Sequence, residues 1–244
     1  QIPNSAFYFI QTTGGSNSLN RIILPNHLKS IGSNAFYGCK YLTGSLVIPE
    51  GVTEIRRGAF KGCTGLNGTL TLPSTLKKLG NRGEDDMQDE GTDYYGGVFQ
   101  GCNNLTGNLR LPDNLELIRG YCFAGCPGFY GELKLPSHLR RMGNCAFQGC
   151  SGLTGSLTIP QNIVSIPSEA FHGCGFNGTL SLHDGIVNIA NDAFADCHFR
   201  GELRLPKSLK VISDNAFGNN DFSGELKLPS SIGHIGSRAF ANNW

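Results

Sequence analysis

Phenylalanine recurs along this chain at a spacing that few folds accommodate. Phe36, Phe60, Phe99, Phe123, Phe147, Phe171, Phe194, Phe217 and Phe240 are separated by 24, 39, 24, 24, 24, 23, 23 and 23 residues. Around them one phrase recurs almost without drift: an Ala-Phe pair, two residues, a cysteine, then L-x-G-x-L-x-I/L-Pro. A fixed period of this length marks a solenoid, in which each unit is one coil that cannot bury its apolar face alone. The expected architecture is a single elongated domain over residues 1–244, with no linker or composition shift to divide it. Residues 1–20 fit the period poorly and are expected to cap the stack. The chain stops mid-coil at Trp244, so either Trp244 covers the last coil or the natural protein continues.

Residues 42–63 show what one coil should look like. Gly44 opens the alternating run Ser45-Leu46-Val47-Ile48, which predicts a strand with Leu46 and Ile48 facing inward. Pro49 closes it, because proline cannot donate to a ladder. Val52 and Ile55 form a second inward pair on a second short extended segment. Ala59 and Phe60 plug the third side, and Lys61-Gly62-Cys63 is expected to make a short helical turn. Stacked coils would align equivalent strands as parallel sheets, giving a mainly β fold with minor α content. The 34 glycines are about twice the usual share. They sit at fixed points of the period, including Gly44, Gly68, Gly107, Gly131, Gly155, Gly178, Gly201 and Gly224 before the strands. There they imply a backbone angle or a close approach that a side chain would forbid.

Nine cysteines would ordinarily suggest a disulfide framework. Position favours another reading. Cys39, Cys63, Cys102, Cys126, Cys150, Cys174 and Cys197 each follow a repeat phenylalanine by three residues, as a column of small buried side chains would. Disulfides or metal are the remaining alternatives. Asn220 and Asn243 take that place in the last two coils, where an inward amide could satisfy loop carbonyls. Cys122 and Cys145 lie out of register; they are where thiol reactivity would be sought, with ordinary packing preferred.

These motifs resemble the BspA-type leucine-rich repeats of bacterial surface proteins. The resemblance rests on "IGSNAFYGCKYL" at residues 31–42 and its counterparts, in phase with "SLVIP" and "SLTIP", and covers nearly all of residues 19–244. It departs from the ordinary leucine-rich repeat in that cysteine precedes the strand, and its L-x-G-x-L element is similar to plant-type repeats. The resemblance implies a right-handed, curved leucine-rich repeat solenoid on a secreted or surface-anchored protein. It also implies adhesion to proteins or cells, and no enzymatic activity. It transfers no binding residue, because adhesion in the family has no residue motif to match.

Two features are not explained by stacking. The first is an insertion at residues 82–97 inside the 39-residue gap. Of 20 Lys+Arg and 19 Asp+Glu residues, one arginine and six carboxylates fall there, leaving 19 basic and 13 acidic elsewhere. A solvated excursion is the plain reading. A contact or calcium site is the functional one, with Asp85, Asp86, Asp89, Glu90 and Asp93 as oxygen donors and Tyr94 and Tyr95 as aromatic anchors. It is not an EF-hand, since Gly97 would occupy the position of the bidentate glutamate. The second feature is the pair of outward columns on the first strand, which includes Arg110, Lys134, Arg204 and Lys227 as candidate contacts. Glu202 and Glu225 would lie about one strand spacing (~4.8 Å) apart, near the separation used in retaining glycoside hydrolysis. The neighbouring Arg204 and Lys227 suggest a self-neutralising surface instead.

The formal net charge of +1 gives no electrostatic footprint for nucleic acid, and no stretch nears the ~20 apolar residues of a membrane span. The chain begins at Gln1 without a methionine, as a mature secreted product or a trimmed fragment would. The six histidines sit at scattered phases, and no metalloprotease, phosphate-loop or nucleophile-elbow motif appears. No cofactor is implied. The expectation is a non-enzymatic, extracellular or cell-surface adhesion module, monomeric, engaging protein or glycan. A polysaccharide-active solenoid and a structural spacer are the alternatives.

Overall fold

The computed structural model describes residues 1–8, 20–81 and 97–243. It is a parallel β-solenoid whose strands are each two residues long. Parallel neighbours need a long crossover, and here the crossover is the remainder of each coil. The longest sheet joins Ser30–Ile31, Glu54–Ile55, Lys78–Leu79, Leu117–Ile118 and Arg141–Met142. It aligns Ile31, Ile55, Leu79, Ile118 and Met142 in one inward column. The stack resumes as a four-stranded sheet of Ser165–Ile166, Asn188–Ile189, Val211–Ile212 and His234–Ile235.

The segment expected to be the first strand pairs more sparingly. Leu46 and Ile48 are buried as expected, and so are Val52, Ile55, Ala59 and Phe60. Leu46–Val47 pairs only with Leu70–Thr71, and Leu157–Thr158 only with Leu180–Ser181. Proline explains the difference: Pro49 and its counterparts end the first segment just after its second inward residue, whereas the second segment carries no proline before Pro167.

The short helical turns are corrected to hydrogen-bonded turns, since no helix occurs among the described residues. Within residues 56–63 the amides of Ala59, Lys61 and Cys63 donate to Arg56, Gly58 and Phe60, whereas those of Phe60 and Gly62 donate to Val98 and Gln100 of the next coil. Alternation between local and inter-coil bonds prevents the run of successive i→i−4 bonds that defines a helix. It also pins each coil to its neighbour on this third side.

The phenylalanines form one uninterrupted stack. Rings 36, 60, 99, 123, 147, 171, 194, 217 and 240 lie face to face, with centroid separations of 5.0–5.7 Å. Phe7 extends it by one, stacked on Phe36 at 4.9 Å. Residues 1–8 therefore lie in the lattice, with Ile2 bridged to Ile31. Residues 9–19 of the expected cap fall outside the described residues. A second aromatic column, Phe176, Phe199 and Phe222, stacks at 5.1 and 6.1 Å. Phe176 and Phe199 meet the main stack edge-on at 6.2 Å, the other geometry aromatic pairs favour.

All nine cysteines are buried thiols, and none is joined in a disulfide. The in-register thiols share one hydrogen bond: Cys63 Sγ donates to the carbonyl of Phe36 at 3.0 Å, Cys150 to Phe123 at 3.1 Å and Cys197 to Phe171 at 2.9 Å. Each acceptor is the stacked phenylalanine one coil back. Asn220 and Asn243 make the equivalent bonds to Phe194 and Phe217 at 2.8 and 2.9 Å, so the amide replaces the thiol chemically as well as in sequence. Cys122 and Cys145 are also buried.

The pre-strand glycines answer to both expected causes. Gly44 has φ of 80°, a left-handed conformation that costs a side chain about 1–2 kcal/mol. Gly68 has no such angle, but a Cβ there would lie 2.4 Å from Ser45 Oγ and 2.6 Å from Ser45 N.

Candidate functional site

Two faces of the solenoid present side chains that stacking does not consume. The first carries the outward positions of the first extended segment of each coil. Arg110, Lys134, Arg204 and Lys227 are all exposed there at the same phase of four coils, with Thr158 and Ser181 at that phase in the two coils between Lys134 and Arg204. Two of them pair with a carboxylate two residues earlier in the same coil: Arg204 Nη2 is 3.3 Å from Glu202 Oε2, and Lys227 Nζ is 3.1 Å from Glu225 Oε2. The Ser/Thr part of this face forms hydrogen-bonded rungs. Ser45 Oγ accepts from the Thr69 amide at 3.0 Å, and Ser156 Oγ from the Thr179 amide at 3.0 Å.

Asp85, Asp86, Asp89, Glu90, Asp93, Tyr94 and Tyr95 lie outside the described residues. Among the described residues no group of three or more His, Cys, Asp or Glu could hold a metal ion.

The second face is not among the positions that repeat spacing singles out. It is the outer surface of the long sheet, where Lys77, Lys78, Arg140 and Arg141 are exposed and Arg119 is half-buried. The register places Lys78 beside Leu117, and Leu117 beside Arg141. Three successive strands and the residues flanking them therefore bring five cations together, with Glu116 as the acid among the described residues of these segments. Toward the N-terminal end of the sheet the charge is compensated. Arg56 Nε donates to Glu54 Oε1 at 2.8 Å and Asn81 Nδ2 to Glu54 Oε2 at 3.0 Å. Partial burial pushes the Glu54 carboxyl up, but these bonds and the charges of Arg56 and Lys78 outweigh it and hold it below its usual value.

The other end of the cationic patch is a break in the sheet. In each coil the residue after the inward sheet position donates its amide to the preceding coil. Arg56 donates to Ile31, Gly80 to Ile55, Arg119 to Leu79 and Gly143 to Ile118, all at 2.8–2.9 Å. The next residue in phase is Pro167, which has no amide to give. The Met142 carbonyl thus loses its ladder donor, and the series resumes only with Ala190 to Ile166 at 3.0 Å. No pairing joins Arg141–Met142 to Ser165–Ile166, and a groove of about 710 Å³ opens between them. Arg119, Arg140, Arg141, Asn144, Ser165 and Asn188 are among its lining residues. A signal for this face is present in the sequence: Lys77-Lys78 and Arg140-Arg141 occupy one phase of the repeat, two residues and one residue before the inward Leu79 and Met142.

The profile of the BspA-type leucine-rich repeat region, in six copies, matches residues 1–83, 92–175 and 129–244. The chain belongs to the BspA-type leucine-rich repeat family. Among solved structures, a leucine-rich repeat protein of T. pallidum is 24% identical with a TM-score of 0.54, over 73% of this chain and 76% of that one. A leucine-rich repeat protein from Bacteroides ovatus is 21% identical with a TM-score of 0.47, over 90% of this chain and 69% of the other. The first likeness agrees with the solenoid fold. No curated protein matches the chain. Members of the BspA-type family are repeat scaffolds and generally non-catalytic, so activity has to be sought in exposed side chains rather than in the repeat residues.

Proposed function

We propose that this BspA-type chain is a non-enzymatic binding module at the cell surface or outside the cell, engaging protein or glycan ligands through its repeat surface. One observation carries the reading. The repeated Phe, Cys, Leu and Ile residues are consumed by stacking, whereas the outward strand positions vary from coil to coil in charge and hydrogen-bonding character. A scaffold with a constant interior and a variable exterior is suited to recognition across an extended surface. Family membership supports the surface location. Among the described residues no helix is long and apolar enough to cross a membrane.

Catalysis by Glu202 and Glu225 is the weaker reading, because each carboxylate is engaged by a cation of its own coil. The exposed residues Arg110, Lys134, Arg204 and Lys227 supply one contact in each of four coils, and the acidic insertion at residues 82–97 is a second candidate contact. The test is a binding screen of the purified chain against immobilised extracellular-matrix proteins and a glycan array. Saturable binding to at least one ligand is expected, weakened several-fold when Arg110, Lys134, Arg204 and Lys227 are changed together to serine. Failure to bind any protein or glycan at micromolar concentration contradicts the proposal.

A further inference from the structure

We propose that the groove at the Pro167 break, with Lys77 and Lys78 beside it, binds a linear sulfated polysaccharide laid across successive coils. The inference deepens the binding-module reading and rests on it. Three features of the groove select this ligand.

The first is the arrangement of charge. Lys77 and Lys78, Arg119, then Arg140 and Arg141 stand on three consecutive strands, and neighbouring strands are about 4.8 Å apart. The result is a row of positive charge along the sheet, which suits a polymer bearing an anion on successive units better than a single small ion. Arginine supplies three of the five cations, and its planar fork pairs with the oxygens of a tetrahedral anion in two parallel hydrogen bonds.

The second feature is the break itself. Pro167 leaves the Met142 carbonyl without its ladder donor, and sugar hydroxyls can donate to such an oxygen. The far wall adds Ser165 and Asn188, already joined by a 3.1 Å bond from Asn188 Nδ2 to Ser165 Oγ. Asn144 Oδ1 accepts from the Ser168 amide at 3.1 Å, which holds the Asn144 side chain at the rim with its amide nitrogen as a donor. Acceptors and uncharged donors thus lie beside the cations, as a ligand carrying both hydroxyls and anions requires.

The third feature is the limit of the patch. Beyond the break the equivalent outward positions are Val164, Ser165, Val187 and Asn188, so the charge ends where the groove opens. Nucleic acid fits less well. The groove lining contains no aromatic side chain on which bases could stack.

The experiment measures affinity of the full chain for immobilised heparin, chemically desulfated heparin, hyaluronan and duplex DNA. Binding to heparin is expected, weakened by salt and lost on desulfation, with hyaluronan and DNA bound more weakly. The double variant Arg140→Ser/Arg141→Ser should bind heparin about tenfold or more weakly, and Lys77→Ser/Lys78→Ser should weaken it independently. A control of equal charge change on other faces, Arg21→Ser/Lys40→Ser, should leave it unaltered. All four replaced cations are exposed, so unchanged circular dichroism and thermal midpoint are expected alongside the loss. No binding to heparin, equal binding after desulfation, preference for DNA, or indifference to both groove variants overturns the assignment. If another ligand emerges from the broader screen in any of those cases, the binding-module reading survives; if no ligand binds at all, both fall.

Discussion

Replacing Phe147 with alanine is expected to destabilise the protein by about 3–5 kcal/mol, the usual cost of emptying a large aromatic site in a packed core. Phe147 is fully buried and stacks on both sides, against Phe123 at 5.3 Å and Phe171 at 5.5 Å. Its backbone is held too, because the Phe147 amide donates to Ala170 while the Phe147 carbonyl accepts the Cys174 thiol. Collapse around the missing ring is resisted by both neighbouring coils, so the cavity persists. At roughly 2–4 °C per kcal/mol for a chain of this size, the thermal midpoint should fall on the order of 10 °C. A solenoid is held together by contacts between adjacent units, and the long sheet is already interrupted between this coil and the next. The variant should therefore unfold in two separable steps by calorimetry, where the parent shows one. A loss below about 1 kcal/mol, outside the range for large core truncations, would contradict the role given to the stack.

The second large effect is alkaline unfolding. Burial pushes the Cys102, Cys150 and Cys174 thiols well above their ordinary value, and the negative charge that neighbouring thiols of the column would carry adds to it. Burial likewise raises Cys145 and Cys197 and lifts Cys126 to about 12. The unfolded chain ionises its thiols near pH ~8.5. Below that pH both states are protonated and stability is independent of the thiols. Above it the unfolded state releases protons that the folded state keeps, so stability falls with rising pH until the folded thiols ionise in turn. Each such thiol costs up to about 1.4 kcal/mol per pH unit in that window, and several act together. Cooperative loss of β-sheet dichroism is expected between about pH 9 and 11. A chain in which Cys102, Cys150 and Cys174 are all replaced by asparagine, the residue used at Asn220 and Asn243, should show a shallower decline. A pH-independent midpoint through this range would show that the thiols are not held protonated.

Much of the stack is legible in the sequence because its residues recur at one phase: the phenylalanines, the in-register cysteines and the inward pairs Leu46/Ile48 and Val52/Ile55 are buried where the period puts them, with Phe240 half-buried at the end. The turn after Phe60 is not, because its amides are shared between local carbonyls and the next coil, and spacing along one coil cannot reveal a partner in another. Phe7 is hidden because it precedes Phe36 by 29 residues rather than 23 or 24, although the Ala6-Phe7 pair is visible. The cationic face is obscured for a related reason. Alternation marks the outward positions clearly on the first strand, and only faintly on the second, where Lys77-Lys78 and Arg140-Arg141 stand. In sequence Pro167 looks like one more strand-end proline. Only the inter-coil ladder shows that it falls one residue past an inward position, where the missing amide divides the sheet.

The repeat phrase is spent on a closed interior of stacked rings and reduced thiols, which leaves recognition to the outer faces. Iodoacetamide labelling followed by mass spectrometry of the intact chain tests this most directly. With no reductant added, the native protein at about pH 7.5, below the ordinary thiol range, should take up no label on any of its nine cysteines, and in concentrated urea it should take up nine. Labelling of the native chain, or fewer than nine adducts in urea, would show an open or cross-linked interior and contradict the account.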